Sequence, residues 1–162
     1  MAVASSKRPR RPRVALGCDH AGFHLKKALL SCLGEKKYPL VDVGTRDTRP
    51  VDYPDYTLRL CQALLEGRAD VGVMICGSGA GACIAANKVK GIRAALCHDH
   101  YTAHQAVEHD DANVLCLGAR VIGESLAREL VEAFVEARFS GEPRHRRRLE
   151  KVLALEGKGG RR

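Results

Sequence analysis

Five short apolar runs alternate with longer helix-like segments, and this alternation constrains the fold more than any other feature of the chain. The runs cover 13–18, 40–44, 71–75, 92–97 and 112–117. The spacing predicts helices over 22–33, 55–66, 81–88, 100–109 and 124–138, with a last one starting near Pro143. Phe23, Leu25, Leu29 and Leu33 mark the inward side of the first, and Leu126, Leu130, Val131, Phe134 and Val135 that of the fifth. Strand–helix alternation of this kind means βαβ units and a parallel sheet. Right-handed crossovers place helices on both faces. The expected fold is therefore α/β, a three-layer αβα sandwich around a five-stranded, Rossmann-like parallel sheet. In such sheets ligands gather at the carboxyl ends of the strands. Those ends carry Asp19-His20, Cys76-Gly77, His98-Asp99 and the segment around Arg120.

A chain of 162 residues suits one domain. Aromatics make up only 4% and Trp is absent, so the core must be aliphatic. The net charge is +8, but its distribution matters more. Residues 1–13 hold five Lys/Arg and no acid, and residues 144–162 hold eight Lys/Arg against two Glu, which leaves −3 for the stretch between. The expected organisation is a disordered basic arm over 1–13, a single domain over 14–155 and a frayed basic tail over 156–162. A mildly acidic body with few aromatics argues against a nucleic-acid partner. No apolar run approaches a membrane span, and no apolar segment near the start reads as a secretory signal. Cys18, Cys32, Cys61, Cys76, Cys83, Cys97 and Cys116 are odd in number and form no C-x-x-C pair. That favours a reducing, cytoplasmic setting over a disulfide framework or a zinc site. Cys18, Cys97 and Cys116 lie in apolar runs and read as small core hydrophobes.

The chemistry concentrates in the run from Ile75 to Leu96. Cys76 closes an apolar strand, and Gly77, Gly79 and Gly81 follow at alternating positions before a small-residue helix. The spacing is neither a dinucleotide fingerprint nor a Walker loop. It does place a thiol where a glycine turn and a helix start present backbone N–H groups. A thiolate beside such donors suits proton abstraction next to a carbonyl, or attack on one. The competing reading is a tight turn with a buried, inert cysteine.

Four motifs in order weigh against inertness. They are Gly17-Cys18-Asp19-His20-Ala21-Gly22; Asp52-Tyr53-Pro54-Asp55-Tyr56; Cys76-Gly77-Ser78-Gly79 through Ala86-Asn87-Lys88 to Gly91-Ile92-Arg93; and His109-Asp110-Asp111-Ala112-Asn113-Val114. Together they resemble the type B ribose-5-phosphate isomerases, in the wider family that includes galactose-6-phosphate isomerases. The likeness spans about 14–152. It implies an aldose–ketose isomerase of the pentose phosphate pathway that interconverts ribose 5-phosphate and ribulose 5-phosphate through an enediolate, with no metal and no cofactor. It implies Cys76 as the base, the amides from Gly77 through Gly79 to Gly81 as the oxyanion site, and Ser78 close to the sugar oxygens. His109 matches the residue that opens the furanose ring. Asp19 would bond sugar hydroxyls, His20 would face the phosphate, and Tyr53 would line the pocket. Arg120, Arg144 and Arg148 match phosphate-binding positions, and the last two, four apart, share a helix face. Homodimers are implied, with the segment of His109 and Arg120 coming from one subunit and Cys76 from the other. His24, His98, His100, His104 and His145 receive no role.

One position departs from the pattern. Asp110 stands where the family usually has Asn, and a carboxylate only accepts hydrogen bonds where an amide also donates. Two alternatives therefore stay open, a hexose-6-phosphate isomerase of the same family and a phosphosugar-binding protein without turnover.

Overall fold

The expected alternation is realised in the computed structural model, which describes residues 11–157. Residues 1–10 of the expected arm and 158–162 of the expected tail lie outside that range. The elements are β1 (Val14–Cys18), α1 (Phe23–Glu35), β2 (Leu40–Asp42), α2 (Tyr53–Leu65), β3 (Val71–Cys76), α3 (Ala80–Ala86), β4 (Ala94–Leu96), α4 (His100–Asp110), β5 (Val114–Gly118), α5 (Glu124–Glu136) and α6 (Pro143–Glu156). All five strands are parallel, in the order β2-β1-β3-β5-β4. The order reverses between β1 and β3, and a crevice opens outside the carboxyl ends of such a pair.

The three central strands are covered on both faces, so their sequences are unbroken apolar runs. Alternate side chains still divide them. Val14, Leu16, Val73, Ile75, Leu115 and Leu117 pack under α1, α4 and α5. Ala15, Met74, Cys76, Val114 and Cys116 face the other way, under α2 and α3. Cys76 therefore belongs to the α2–α3 side. Among the described residues no helix is long and apolar enough to cross a membrane.

Several boundaries differ from expectation for identifiable reasons. β2 ends at Asp42 because the Gly44 N–H turns to the Asp42 carboxylate (3.0 Å), although Val43 and Thr45 still donate to Leu16 and Cys18 of β1. β4 begins at Ala94 because Ile92 closes a turn onto Val89 and the Arg93 N–H is held by the Asn113 side chain (2.8 Å). In α1, Leu29 and Leu33 are buried as expected, but Phe23 and Leu25 only half so. Lys26 takes an inward place, 2% exposed, its Nζ bonded to both Asp42 oxygens (2.7 and 2.8 Å) and to the Thr45 carbonyl (2.9 Å). Two residues assigned to the arm also engage the body. The Arg13 guanidinium pairs with Asp70, and that of Arg11 lies 4.6 Å from the centre of the Tyr38 ring.

Candidate active site

β3 delivers Cys76 to the carboxyl edge of the sheet, where the ladder to β1 and β5 ends. The chain then turns through Gly77 and Ser78 into Gly79, whose φ of +81° is left-handed. This turn swings the Gly79 N–H back onto the Cys76 Sγ at 3.1 Å. Cys76 is 4% exposed. Ser78 stands outside it, exposed, with its Oγ accepting from the Ala80 N–H (3.3 Å). The turn thus fixes the thiol against a backbone N–H donor at the carboxyl edge of the sheet.

The neighbouring strand ends converge on this turn. After β1, the Asp19 N–H donates to the Ile75 carbonyl (3.2 Å), and the buried Asp19 carboxylate accepts from Ala21 and Gly22 (2.9 and 3.1 Å). His20 accepts the Val51 N–H at Nδ1 (3.1 Å), which leaves its proton on Nε2 and pins the loop before α2. Tyr53, the first residue of α2, lays its ring on Gly81, so that a methyl group there would sit 2.7 Å from Cζ. After β5, the Arg120 N–H donates to the Gly77 carbonyl (3.0 Å), and its exposed guanidinium lies beside Gly77. Asp19, His20, Tyr53, Cys76, Gly77, Ser78, Gly79, Gly81 and Arg120 are thus one group at the β1–β3 switch point.

His109, Asp110, Arg144 and Arg148 form a second group elsewhere. α4 starts at the carboxyl edge and runs back across the sheet, so its last turn lies near the start of β5. An eleven-residue helix spans about 16 Å. The His109 ring stacks on that of His145, with centroids 4.0 Å apart. Arg144 and Arg148 lie on the first turns of α6, both exposed, and Arg144 pairs with Glu142 (2.8 Å). Asp110 is exposed and lines a groove of about 300 Å³ with Arg93, Leu149 and Val152. The expectation that Arg120 comes with the His109 segment is therefore corrected. Arg120 is held by its own chain's Cys76 turn, because β5 lies directly beside β3. The three arginines do not converge within one chain.

Part of what looked like site chemistry is scaffold. Asn87 caps α3 and clasps Ala94 of β4, accepting from its N–H and donating to its carbonyl (both 2.9 Å). Asp111 pairs with Arg93 (2.8 Å), and Asn113 donates to the Gly91 carbonyl (2.9 Å). These contacts tie the end of α4 to the approach to β4. The thiols separate as well. Burial pushes Cys18, Cys61 and Cys97 up to about 11. Cys83 is held down to about 7, chiefly by a hydrogen bond from the Cys116 thiol. The sequence offered no sign of that pair, because α3 and β5 meet only in the fold. His98, given no role, accepts the Gly118 N–H at Nε2 (3.0 Å) and so braces the end of β5. Among the described residues no three His, Cys, Asp or Glu side chains are grouped to hold a metal ion.

Residues 14–152 match the Ribose/Galactose Isomerase family. The chain belongs to that family. Ribose-5-phosphate isomerase B of Escherichia coli is 42% identical over 144 residues, covering 89% of this chain and 96% of that one. The solved structure of Clostridium thermocellum ribose-5-phosphate isomerase B superposes with a TM-score of 0.87 at 43% identity, over 90% of this chain and 98% of that one. The structure of the Mycoplasma genitalium ribose-5-phosphate isomerase B with bound ribulose-5-phosphate has a TM-score of 0.84 at 38% identity, over 90% of this chain and 97% of that one. The likeness covers both groups of residues described above.

Proposed function

We propose that this protein interconverts ribose 5-phosphate and ribulose 5-phosphate through an enediolate, with Cys76 as the base. The observation that carries the reading is the Cys76 Sγ held by the Gly79 N–H at the switch point of a parallel sheet. The thiolate takes the proton from C2 of the open-chain aldose and returns it to C1, while a proton shifts between the two oxygens. Amides of the turn from Gly77 to Gly81 stabilise the oxyanion as it forms. Ser78 and Asp19 bind sugar hydroxyls, and Tyr53 lines the pocket. His109 opens the furanose ring. Arg120, Arg144 and Arg148 bind the phosphate, assisted by His20, since guanidinium forks suit a dianion. No step calls on a metal or cofactor. Seven thiols, none of them in a disulfide, suit a reducing compartment such as the cytoplasm.

His109 and Cys76 occupy opposite ends of one chain's sheet, so this chemistry requires two copies. A homodimer in which His109, Arg144 and Arg148 of one protomer reach the Cys76 turn of its partner completes the site. Exposed apolar side chains favour such pairing. Ile84 on α3 and Leu96 on β4 flank the turn, and Tyr101 and Val152 lie on helices beside the β4 edge.

Turnover of ribose 5-phosphate beside a panel of hexose 6-phosphates tests the proposal, with Cys76→Ala in parallel. The pentose reaction is expected to dominate, unaffected by chelator, and to fall on the order of 10²–10⁴-fold in Cys76→Ala with the fold intact. Near-normal turnover in that variant rejects Cys76 as the base, and preference for a hexose phosphate rejects the substrate.

A further inference from the structure

His109 does not act from an isolated position on a helix end. Its ring stacks on His145, a residue 2% exposed at the start of α6, at 4.0 Å between centroids and 31° between planes. The far side of His145 is fixed too. Its Nδ1 lies 2.6 Å from the Ser140 Oγ. Ser140 is itself anchored to α4, because its N–H donates to the Glu108 carbonyl (2.9 Å), one residue before His109. The result is a closed circuit from the last turn of α4 through Ser140 and His145 back to the His109 ring.

We propose that His145, oriented by Ser140, is the positioning residue for His109. The proposal rests on the reading that His109 takes part in turnover. A histidine in the last turn of a helix has open rotamers and solvent around it. Stacking on a buried ring of matching shape removes that freedom and presents His109 in one orientation. The stack also bears on the charge of His145. Two imidazolium rings 4.0 Å apart repel, and His145 lacks the solvent that would support its charge. Glu108 on α4 lies 3.8 Å from His109 Nε2. Facing His145 from α6 are Arg144 and Arg148, which disfavour its protonation, and Glu142, which favours it. Burial and His109 itself are the two largest influences, and both hold His145 below its ordinary range. His145 is thus held as an uncharged stacking surface near neutral pH, and His109 is the ring of the pair that substrate can reach.

The test measures kcat and KM for ribose 5-phosphate between pH 5.5 and 9, with melting temperature, in His145→Phe, Ser140→Ala, His109→Asn and the double variant His109→Asn/His145→Phe. Phenylalanine keeps an aromatic ring but loses the bond to Ser140 that fixes the plane on which His109 stacks. Misplacing a reacting group by about 1 Å costs up to roughly a hundredfold. His145→Phe is expected to lower kcat by about tenfold or more, to leave KM within about threefold, and to move the acidic limb of the kcat profile. Ser140→Ala should do the same more weakly, and it keeps the idea testable if His145→Phe does not fold. The double variant should be no slower than His109→Asn. Unchanged kcat with a lower melting temperature makes His145 merely structural and overturns the proposal. So does a raised KM with kcat intact, which would make His145 part of the phosphate site. Normal turnover in His109→Asn overturns the reading beneath it instead.

Discussion

Replacing Gly79 by alanine probes whether the turn after β3 is what places the Cys76 thiol. An added methyl group would lie 2.5 Å from Leu96 Cδ1, 2.9 Å from the Leu117 carbonyl carbon and 3.1 Å from its oxygen. Leu96 is 39% exposed and can swing aside. The Leu117 backbone cannot, because β5 is locked between β3 and β4. Left-handed backbone costs a residue with a Cβ about 1–2 kcal/mol. Overpacking against fixed atoms adds about 1–3 kcal/mol. At roughly 2–4 °C per kcal/mol for a chain of this size, melting should fall by roughly 4–20 °C. Gly67 supplies the control, since its φ is +70° but nothing lies within 4 Å of an added methyl group. Gly67→Ala should show only the backbone cost, a fall of roughly 2–8 °C. The assay pairs thermal denaturation with turnover of ribose 5-phosphate at a temperature where both variants are folded. Gly79→Ala should also lose about a hundredfold in kcat, because the N–H 3.1 Å from Cys76 Sγ is displaced, and Gly67→Ala should lose nothing. Equal melting shifts and unchanged turnover in both variants would refute the argument.

Three further outcomes follow from other parts of the structure. Asp42→Ala strands the Lys26 ammonium in the core with only the Thr45 carbonyl, so it should destabilise by about 1–3 kcal/mol in urea titration while Lys26→Met costs less; the reverse order would mean that Lys26 contributes through its stem. Below pH 6.5, the ordinary histidine value, the unfolded chain takes up a proton that His145, with its depressed value, still refuses. Stability should therefore decline as pH falls from about 6.5, and His145→Phe should flatten that decline; an identical slope in the variant rules out His145 as its source. Asp110→Asn restores a donor and removes a negative charge from a helix C-terminus, so turnover of ribose 5-phosphate should rise and stability should gain about 0.3–1 kcal/mol; no change in either places Asp110 outside the reaction.

Much of the fold was legible from one dimension. Strands buried on both faces must be continuous apolar runs, and β1, β3 and β5 are. A thiol followed by alternating glycines implies a tight turn at a strand end, and Gly79 makes it. Lys26 escaped, because a lysine inside an apolar stripe reads as solvated until Asp42 of β2 and Thr45 of the loop after it arrive. His145 escaped for a similar reason. It sits among Arg144, Arg146, Arg147 and Arg148 and looks like part of a basic tail, yet only its ring turns inward onto α4.

Local sequence determined which residues form strands and helices, where the chain turns, and which residue types could carry proton transfer and phosphate binding. These depend on side-chain period, backbone freedom and chemical identity, all properties of neighbours along the chain. Tertiary structure decided the grouping. Parallel pairing of β3 with β5 brought Arg120 to the Cys76 turn across more than forty residues, and the direction of α4 carried His109 to the other end of the sheet. Apolar periodicity is the same for a strand in any position of the sheet. Which functional residues become neighbours is therefore set only by strand order and by the length and direction of the helices between.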